Sequence, residues 1–322
     1  MEDLAALAGV SKITISRALR DSELVTPETR ARIKALAEQV GYRLNHHARN
    51  LRLQRSHTVA VVLEMQPDPD RPMSEPYPLQ LLGGITQELT SRRYNVLLTA
   101  MQSASDGFGM PADGIILLGQ GAHDAAVHAV ARCGLPFVVW GEEHRGSDHA
   151  VVVVGSDNHH GGACVAERFL ELGRSELLFL GDVSHAEVHE RRAGFVKRLQ
   201  KAGVKVQTLL PGAFTFGAGF AAVQAHLRRC RNPPDGLFAA SDLLAMGAVR
   251  AFSDAGLAVP DAVTVVGYDD SPSAQTFAPP LSSVHQDWRQ GGVLLARKVV
   301  DLIEGRAAHS ETMPTALVVR AT

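Results

Sequence analysis

Cysteines and long apolar runs are scarce in this 322-residue sequence, and each shortage excludes a class of protein. The three cysteines, Cys133, Cys164 and Cys230, are spaced too widely for a disulfide framework or a zinc site. No apolar run approaches the roughly twenty residues of a membrane-spanning helix. No segment combines the basic start, apolar core and small-residue cleavage site of a signal peptide. We therefore expect a cytoplasmic protein.

The common catalytic motifs are also missing. The sequence contains neither a phosphate-binding loop, G-x-x-x-x-G-K-[ST], nor a serine elbow, G-x-S-x-G. In residues 185–189, His-Ala-Glu-Val-His, the glutamate is misplaced for the zinc-protease motif H-E-x-x-H. The glycines of residues 217–222 do not follow the first strand of a βαβ unit, as a dinucleotide site requires. We therefore expect no enzyme activity, no cofactor and no metal site.

The charge is distributed unevenly, although the net charge of the whole chain is only −2. Residues 1–55 hold ten Lys and Arg against six Asp and Glu, a net of +4. The rest of the chain holds 22 against 28, a net of −6. A basic head on an acidic body indicates that the head meets a polyanion, although ordinary variation in surface charge is the alternative.

Residues 1–43 have the pattern of three short helices. Ser11 is a favourable N-cap for a second helix over residues 12–19. The third helix begins after Thr26, where proline occupies the first helical position, and ends at Gly41.

The second helix places two isoleucines on different faces. At 100° per residue, Ile15 clusters with Ala18 and Leu19, whereas Ile13 clusters with Arg17 on the opposite side. A glycine turn between two short helices, the second with a basic outer face, is the geometry of a helix-turn-helix. The pattern also allows a small helical bundle whose basic face is merely solvated.

Beyond residue 57, continuous apolar runs alternate with helical segments. Continuous rather than alternating runs indicate parallel sheets that are covered on both faces, so we expect a doubly wound α/β body. A break near residues 155–157 divides it into two similar halves, which predicts two lobes with a cleft between them. The predicted strands are 58–63, 95–100, 114–118, 136–140, 151–154, 177–180, 237–240, 263–266 and 316–319.

Residues 4–45 read LAALAGVSKITISRALRDSELVTPETRARIKALAEQVGYRLN, which resembles the DNA-binding head of the lactose-repressor (LacI) family and especially its gluconate-repressor-like branch. The resemblance rests on the runs AGVS-x-x-T-[IV]-SR-x-L, V-[ST]-x-E-TR and GYRxN. It continues through nearly the whole chain, in ARNLRL, LGGITQEL, DGIILLG, VGSDNHHGG, ERRAGF, FAASDLLAMGAVRAF, VTVVGYDD, PPLSSVHQD and LVVR.

The resemblance implies a three-helix head with a hinge, followed by an α/β body of two lobes shaped like periplasmic sugar-binding proteins. The chain would cross between the lobes three times. The implied ranges are 1–44 for the head, 45–56 for the hinge, 57–155 with 286–310 for the first lobe, and 156–285 with 311–322 for the second.

The resemblance also implies the DNA contacts. Lys12, Ile13 and Arg17 would meet base edges, where arginine can donate two hydrogen bonds to guanine and an apolar side chain can touch a thymine methyl. The helical wheel favours the last two and leaves Lys12 to one side. Thr14 and Ser16 would contact phosphates.

In the hinge, Leu51 matches the leucine that the family wedges into the minor groove, and Arg52 matches a basic neighbour in that groove. The alternative for Leu51 is packing against the body. Leu44 departs from the proline that the family usually has, which would loosen the hinge.

An effector would bind between the lobes, where the carboxyl ends of the strands face the cleft. Arg191 matches a family arginine that binds effector hydroxyls or a carboxylate, and Asp269 can accept paired sugar hydroxyls. Ser241 stands where many relatives have asparagine. Tyr77 and Phe214 match aromatic positions that can stack on a ring.

Each of these interpretations has a structural alternative. Asp269 could serve a turn or a helix cap, the aromatic residues could be plain packing, and Asp242 could cap a helix. Trp140 precedes a glycine where some relatives have a polar ligand. Gln120 and Gln286 are weaker candidates.

Together these patterns predict a repressor that binds a pseudo-palindromic operator as a homodimer and responds to a small carbohydrate or related metabolite. A sugar-binding protein without DNA function and a modifying enzyme on the same lobes are the rival interpretations.

Overall fold

The computed structural model describes residues 2–19, 21–41, 55–64, 76–101, 111–121, 124–143 and 151–322. Its contacts separate two units, Met1–Ser56 and His57–Thr322. Most of the predicted hinge, including Leu51 and Arg52, lies outside the described residues. In the part that is described, no helix is both long and apolar enough to cross a membrane.

The described part of the first unit consists of three helices. The hydroxyl of Ser11 accepts a hydrogen bond from the backbone N–H of Thr14, which caps the second helix as the sequence predicts. Thr26 caps the third helix in the same way. These helices are α1 (Glu2–Ala8), α2 (Lys12–Ala18) and α3 (Pro27–Gln39).

A small apolar core holds these three helices together. Ile15 and Ala18 of α2 are completely buried, together with Ile33 of α3. Ile13 is 62% exposed, and Arg17 is exposed as well. The helical wheel is therefore confirmed: one isoleucine belongs to the core and the other faces outward.

The second unit contains two six-stranded sheets, as the doubly wound pattern predicts. The first sheet has the order β11-β5-β4-β3-β1-β2 and is parallel throughout. We call this sheet and its helices the first lobe. Its strands are β1 (Thr58–Leu63), β2 (Asn95–Ala100), β3 (Gly114–Leu118), β4 (Phe137–Trp140), β5 (Val152–Ser156) and β11 (Glu311–Met313).

Helices cover both faces of this first sheet. Leu81 and Ile85 of α4 pack on one face together with Leu295 of α11. Val127 and Val130 of α5 pack on the other face. These helices are α4 (Pro76–Ser91), α5 (Ala125–Ala131) and α11 (Trp288–Ile303).

The second sheet, with its helices, forms the second lobe. Its order is β12-β10-β9-β8-β6-β7, and only the pairing of β12 with β10 is antiparallel. Its strands are β6 (Leu177–Leu180), β7 (Val206–Leu209), β8 (Gly236–Ala239), β9 (Thr264–Asp269), β10 (Ser282–His285) and β12 (Ala316–Val318). Its helices are α6 (Asn158–Glu171), α7 (Ala186–Gln200), α8 (Phe216–Leu227), α9 (Asp242–Asp254) and α10 (Pro272–Thr276).

One expected lobe boundary is wrong. We expected residues 311–322 in the second lobe, but Glu311–Met313 pairs in parallel with β5 of the first lobe. The chain therefore crosses to the second lobe only after Met313, where the hydroxyl of Thr315 donates to the carbonyl of Asp157. The sequence ETM contains no apolar run, so no hydrophobic pattern predicts this edge strand of three residues.

The sequence pattern also failed to predict strand β10, because two of its four residues are serines. Ser282 and Ser283 are nevertheless buried. The Ser283 hydroxyl donates to the carboxylate of Asp242, and the Ser282 hydroxyl donates to the backbone carbonyl of Thr322. Buried hydroxyls are tolerated when they are hydrogen-bonded, so a polar segment can form a strand inside the sheet here.

Glycines allow the helices of the first lobe to approach closely. Gly84 is buried in α4, and a Cβ on it would collide with the backbone carbonyl of Arg289 in α11. Gly83, its neighbour in the same helix, is exposed, and a Cβ there would meet open space.

We expect Gly84→Ala to destabilise the protein by about 1–3 kcal/mol, because it forces the two helices apart. The matched control Gly83→Ala should instead stabilise by roughly 0.5–1 kcal/mol, since alanine favours an exposed helix interior. Thermal and urea unfolding of both variants measure these changes. Equal effects of the two substitutions would contradict the close packing.

Candidate functional site

A cleft of about 1070 Å³, including its open mouth, lies in the second unit. Its lining comes from both lobes, at the carboxyl ends of the strands, where an open α/β fold is expected to bind ligands. All five residues that the resemblance implied for an effector line this cleft, and so do the four further candidates. They are Tyr77, Arg191, Phe214, Ser241 and Asp269, with Gln120, Trp140, Asp242 and Gln286.

Arg191 is held rigidly in the floor of the cleft. Its Nε donates to Asn158 Oδ1 at 2.9 Å, and its Nη1 donates to the carbonyl of Ala240 at 2.6 Å. The guanidinium carbon lies 3.8 Å from the centre of the Tyr268 ring, a cation–π distance. Because Arg191 is only 7% exposed, these contacts are what allow a charged group to stay buried.

Asn158, which the sequence reasoning missed, links this arginine to the first lobe. Its Nδ2 donates to Glu142 Oε2 at 2.7 Å and to the carbonyl of Ser156 at 3.1 Å. The backbone of Glu142 is in turn held by Gln120, whose amide exchanges two hydrogen bonds with it at 2.6 and 2.9 Å. A chain of hydrogen bonds thus runs from the second lobe to the first.

The pKa of Glu142 is raised from 4.5 to about 7. Burial of the carboxyl is the main cause, and the negative charges of Glu190 and Glu187 act in the same direction. The hydrogen bond from Asn158 and the positive charge of Arg191 oppose the shift without cancelling it. Glu142 lies two residues after strand β4 and belongs to none of the family motifs. Only its position in the folded structure identifies it as part of the site.

Asp269 ends strand β9 with a positive φ of 114°, which is unusual for a residue other than glycine. Its Oδ1 accepts a hydrogen bond from Nε2 of Gln286 at 2.8 Å. Gln286 lies just before α11, where the chain returns to the first lobe. The carboxylate is therefore oriented by a residue at a crossing between the lobes.

The sequence suggested that Asp242 could cap a helix, but a different residue caps α9. The N-cap of α9 is Ser241, whose hydroxyl accepts from the N–H of Leu244 at 3.4 Å. Asp242 is instead the first helical residue, and its carboxylate accepts from the N–H of Ser271 and the hydroxyl of Ser283. Burial raises the pKa of Asp242 to about 6. Asp242 thus ties α9 to the neighbouring loop and strand.

Aromatic side chains form apolar parts of the cleft wall. Tyr77 meets Trp288 edge-on, with ring centres 5.7 Å apart. In the second lobe, Phe214 meets His185 edge-on at 5.2 Å. Trp140 packs over Gly291, where a Cβ would strike its ring. These rings pack against protein neighbours and also face the cleft.

In the first unit, the outer surface of α2 carries the predicted DNA contacts. Ile13 and Arg17 are exposed on it, as stated above. Lys12 forms an ion pair with Glu2 of α1, which agrees with its position to one side of the wheel. The Thr14 hydroxyl lies 2.9 Å from the Ser11 hydroxyl, and Ser16 is half-buried. The contacts of these residues with DNA stay predictions.

Two family models match this chain. The one described as "Bacterial regulatory proteins, lacI family" matches residues 1–45. The one described as "Periplasmic binding protein-like domain" matches residues 166–322.

Among curated relatives, the HTH-type transcriptional regulator CelR of Thermobifida fusca is 33% identical over 319 residues, which cover 96% of this chain and 93% of the relative. The probable HTH-type transcriptional repressor ExuR of Bacillus subtilis is 28% identical over 318 residues, which cover 97% and 93%. Both are transcriptional regulators rather than enzymes by name.

Solved structures of transcriptional regulators are also similar to this chain. A complex of the transcriptional regulator CelR with cellobiose is 30% identical to this chain and has a TM-score of 0.75. The similarity covers 99% of this chain and 98% of the chain in that complex. The lac repressor dimer bound to operator and the anti-inducer ONPF has a TM-score of 0.85 over 99% of this chain and 97% of that chain. At 24% identity, the latter shows the shared fold alone.

The raised pKa of Glu142 makes a prediction about stability. Between about pH 4.5 and 7 the folded protein holds a proton on Glu142 that the unfolded chain has released, so folding loses stability as the pH rises through this window. Glu142→Gln keeps an oxygen acceptor for Asn158 and removes the titration. We therefore expect the variant to gain melting temperature over the wild type at pH 8, but not at pH 4.5.

The matched control is Glu143→Gln, because the side chain of Glu143 is exposed. This variant should follow the wild-type pH profile of melting temperature. If Glu142→Gln also followed that profile, the buried carboxyl would not be the titrating group.

Proposed function

This chain belongs to the lacI family of DNA-binding transcriptional regulators, and we propose that it acts as a repressor controlled by a small carbohydrate or related metabolite. Binding to a pseudo-palindromic operator as a homodimer is part of the proposal, because a two-fold symmetric protein matches two symmetric half-sites. The observation that carries the effector part is the convergence of Tyr77, Arg191, Phe214, Ser241 and Asp269 on one cleft.

The exposed face of α2 supports the DNA part of the proposal. Ile13 is an apolar residue held out of the core beside the cation Arg17. A base edge in the major groove offers partners to both, since arginine pairs with guanine and an apolar side chain contacts a thymine methyl. Thr14 and Ser16 would bind phosphates, and Lys12 would reach a base only by leaving Glu2. Leu51 and Arg52 would act in the minor groove.

Control by the effector requires a difference in affinity between two states of the protein. A ligand that binds the DNA-competent and the incompetent arrangement equally well shifts nothing. The cleft is formed by both lobes, so a ligand in it contacts both and its affinity depends on how they are arranged. Cellobiose, the sugar in the solved complex of CelR, is the first compound to test.

Gel-shift titration against an operator selected from random DNA tests the function as a whole. Specific, salt-sensitive binding to a palindrome, with an affinity that a sugar changes, supports the proposal. Failure to bind any palindrome at low salt would contradict it.

Arg17→Ala should relax the base preference at one position of each operator half-site by about 1–3 kcal/mol. Competition gel shifts with single-base operator variants measure this. Lys34→Ala is the matched control, because Lys34 is a cation on α3 that pairs with Asp21. Equal weakening of Arg17→Ala on all sequences would assign Arg17 to a phosphate instead.

Asp269→Ala should abolish the response to the effector while operator binding persists, because the carboxylate lies in the cleft of the second unit. Operator affinity is measured with and without the sugar that changes the operator affinity of the wild-type protein. Asp254→Ala removes a carboxylate that pairs with Arg250 near the end of α9 and should respond normally. A normal response of Asp269→Ala would remove this residue from the binding site.

A further inference from the structure

Among the described residues, the cleft is lined by more negative than positive side chains. Carboxylates come from both lobes: Glu64 follows β1 of the first lobe, and Glu187 lies in the first turn of α7 in the second. Asp242 and Asp269 add two more, and Arg191 is the one Lys or Arg among the lining residues that the structure describes. A bound ligand therefore meets carboxylates on both sides, and a negative charge on it would be repelled.

Arg191 is not free to bind a carboxylate side-on, because two of its five N–H donors, Nε–H among them, are already used. The usual side-on grip of a carboxylate uses Nε with the neighbouring Nη. Here Nε already donates to Asn158, Nη1 donates to Ala240, and one face of the guanidinium lies on Tyr268. The sequence left open whether Arg191 binds hydroxyls or a carboxylate of the effector. These contacts favour hydroxyls, because a hydroxyl needs only a single donor.

Two buried polar atoms in the cleft lining point to a ligand with oxygen acceptors. Ser156 Oγ and Trp288 Nε1 have no hydrogen-bond partner among the described residues, although each residue is only 2% exposed. An indole N–H can only donate, and a hydroxyl can donate or accept. Buried donors of this kind are costly unless something accepts from them, so a ligand that offers neutral oxygens complements the lining.

The wall around these polar atoms is aromatic and apolar. Trp140 and Tyr77 line the first lobe's side, and Phe214 and Val188 line the second. Pockets with apolar walls and a few convergent polar groups bind molecules that carry both kinds of surface. A sugar ring has this character, because its C–H face is apolar and its rim carries hydroxyls.

We propose that the cleft selects an uncharged, polyhydroxylated ring compound, a neutral sugar, and rejects the corresponding sugar acids and phosphorylated sugars. The carboxylates accept hydroxyl hydrogens, while the buried Ser156 and Trp288 donate to sugar oxygens. This assignment rests on the proposed function, since it specifies the ligand of the same cleft.

Tryptophan fluorescence reports directly on this site, because the chain has two tryptophans and both line the cleft. The full-length protein is titrated with matched pairs: cellobiose and cellobionate, glucose and glucuronate, galactose and galacturonate. Glucose 6-phosphate completes the panel. We expect at least one neutral sugar to bind, with its acid weaker by about tenfold or more.

A carboxylate variant tests the cause of the selectivity. Glu187→Gln removes one negative charge from the lining and should narrow the gap in Kd between the neutral sugar and its acid. Glu171→Gln, at the end of α6, removes a charge outside the lining and should leave the gap unchanged.

Two results would overturn the assignment: a sugar acid or sugar phosphate that binds as tightly as its neutral partner, or no binding by any neutral sugar. Operator binding in a parallel gel shift separates this failure from failure of the proposed function. A protein that binds its operator but prefers an acid remains a regulator with another ligand class.

Discussion

The direction of a parallel sheet is the constraint on which the candidate site depends. All carboxyl ends of parallel strands lie at one edge, and the loops after them must project there. In this protein two such sheets are joined through residues 156–158, 285–288 and 313–316, close to that edge. The side chains that follow the strands of both lobes consequently face one cleft, although they are far apart in sequence. Arg191 and Asp269 line the same cleft as Tyr77 and Trp288 for this reason.

The segments that cross between the lobes also hold side chains of the cleft in place. Asn158 lies two residues after the end of β5, at the start of the second lobe, and its side chain contacts both Glu142 of the first lobe and Arg191 of the second. Gln286 stands at the return crossing and holds Asp269. Groups that orient ligand-facing residues thus lie where a change in lobe arrangement would concentrate. This gives a physical route by which a ligand's contacts could favour one arrangement over another, as differential affinity requires.

Much of this could be predicted from the sequence, because it depends on patterns that local physics imposes. Seven of the nine predicted strands differ by at most one residue at either end from those observed, β1 and β6 among them, since apolar runs bounded by turns are strong signals. The opposite faces of Ile13 and Ile15 followed from helical geometry alone. The cleft residues required the family resemblance, since nothing local distinguishes Arg191 from other arginines.

The remaining features depend on partners that are distant in sequence. Strand β10 is polar, and its serines become acceptable in the interior only because Asp242 and Thr322 lie beside them. The three residues of β11 form a strand because β5 offers an open edge. Glu142 is an ordinary surface type by sequence, and only the folded lobes bury it against Asn158 and near Glu190. The unusual carboxyl of the site is therefore a product of the tertiary fold, and a sequence pattern that describes one element at a time has no means of revealing it.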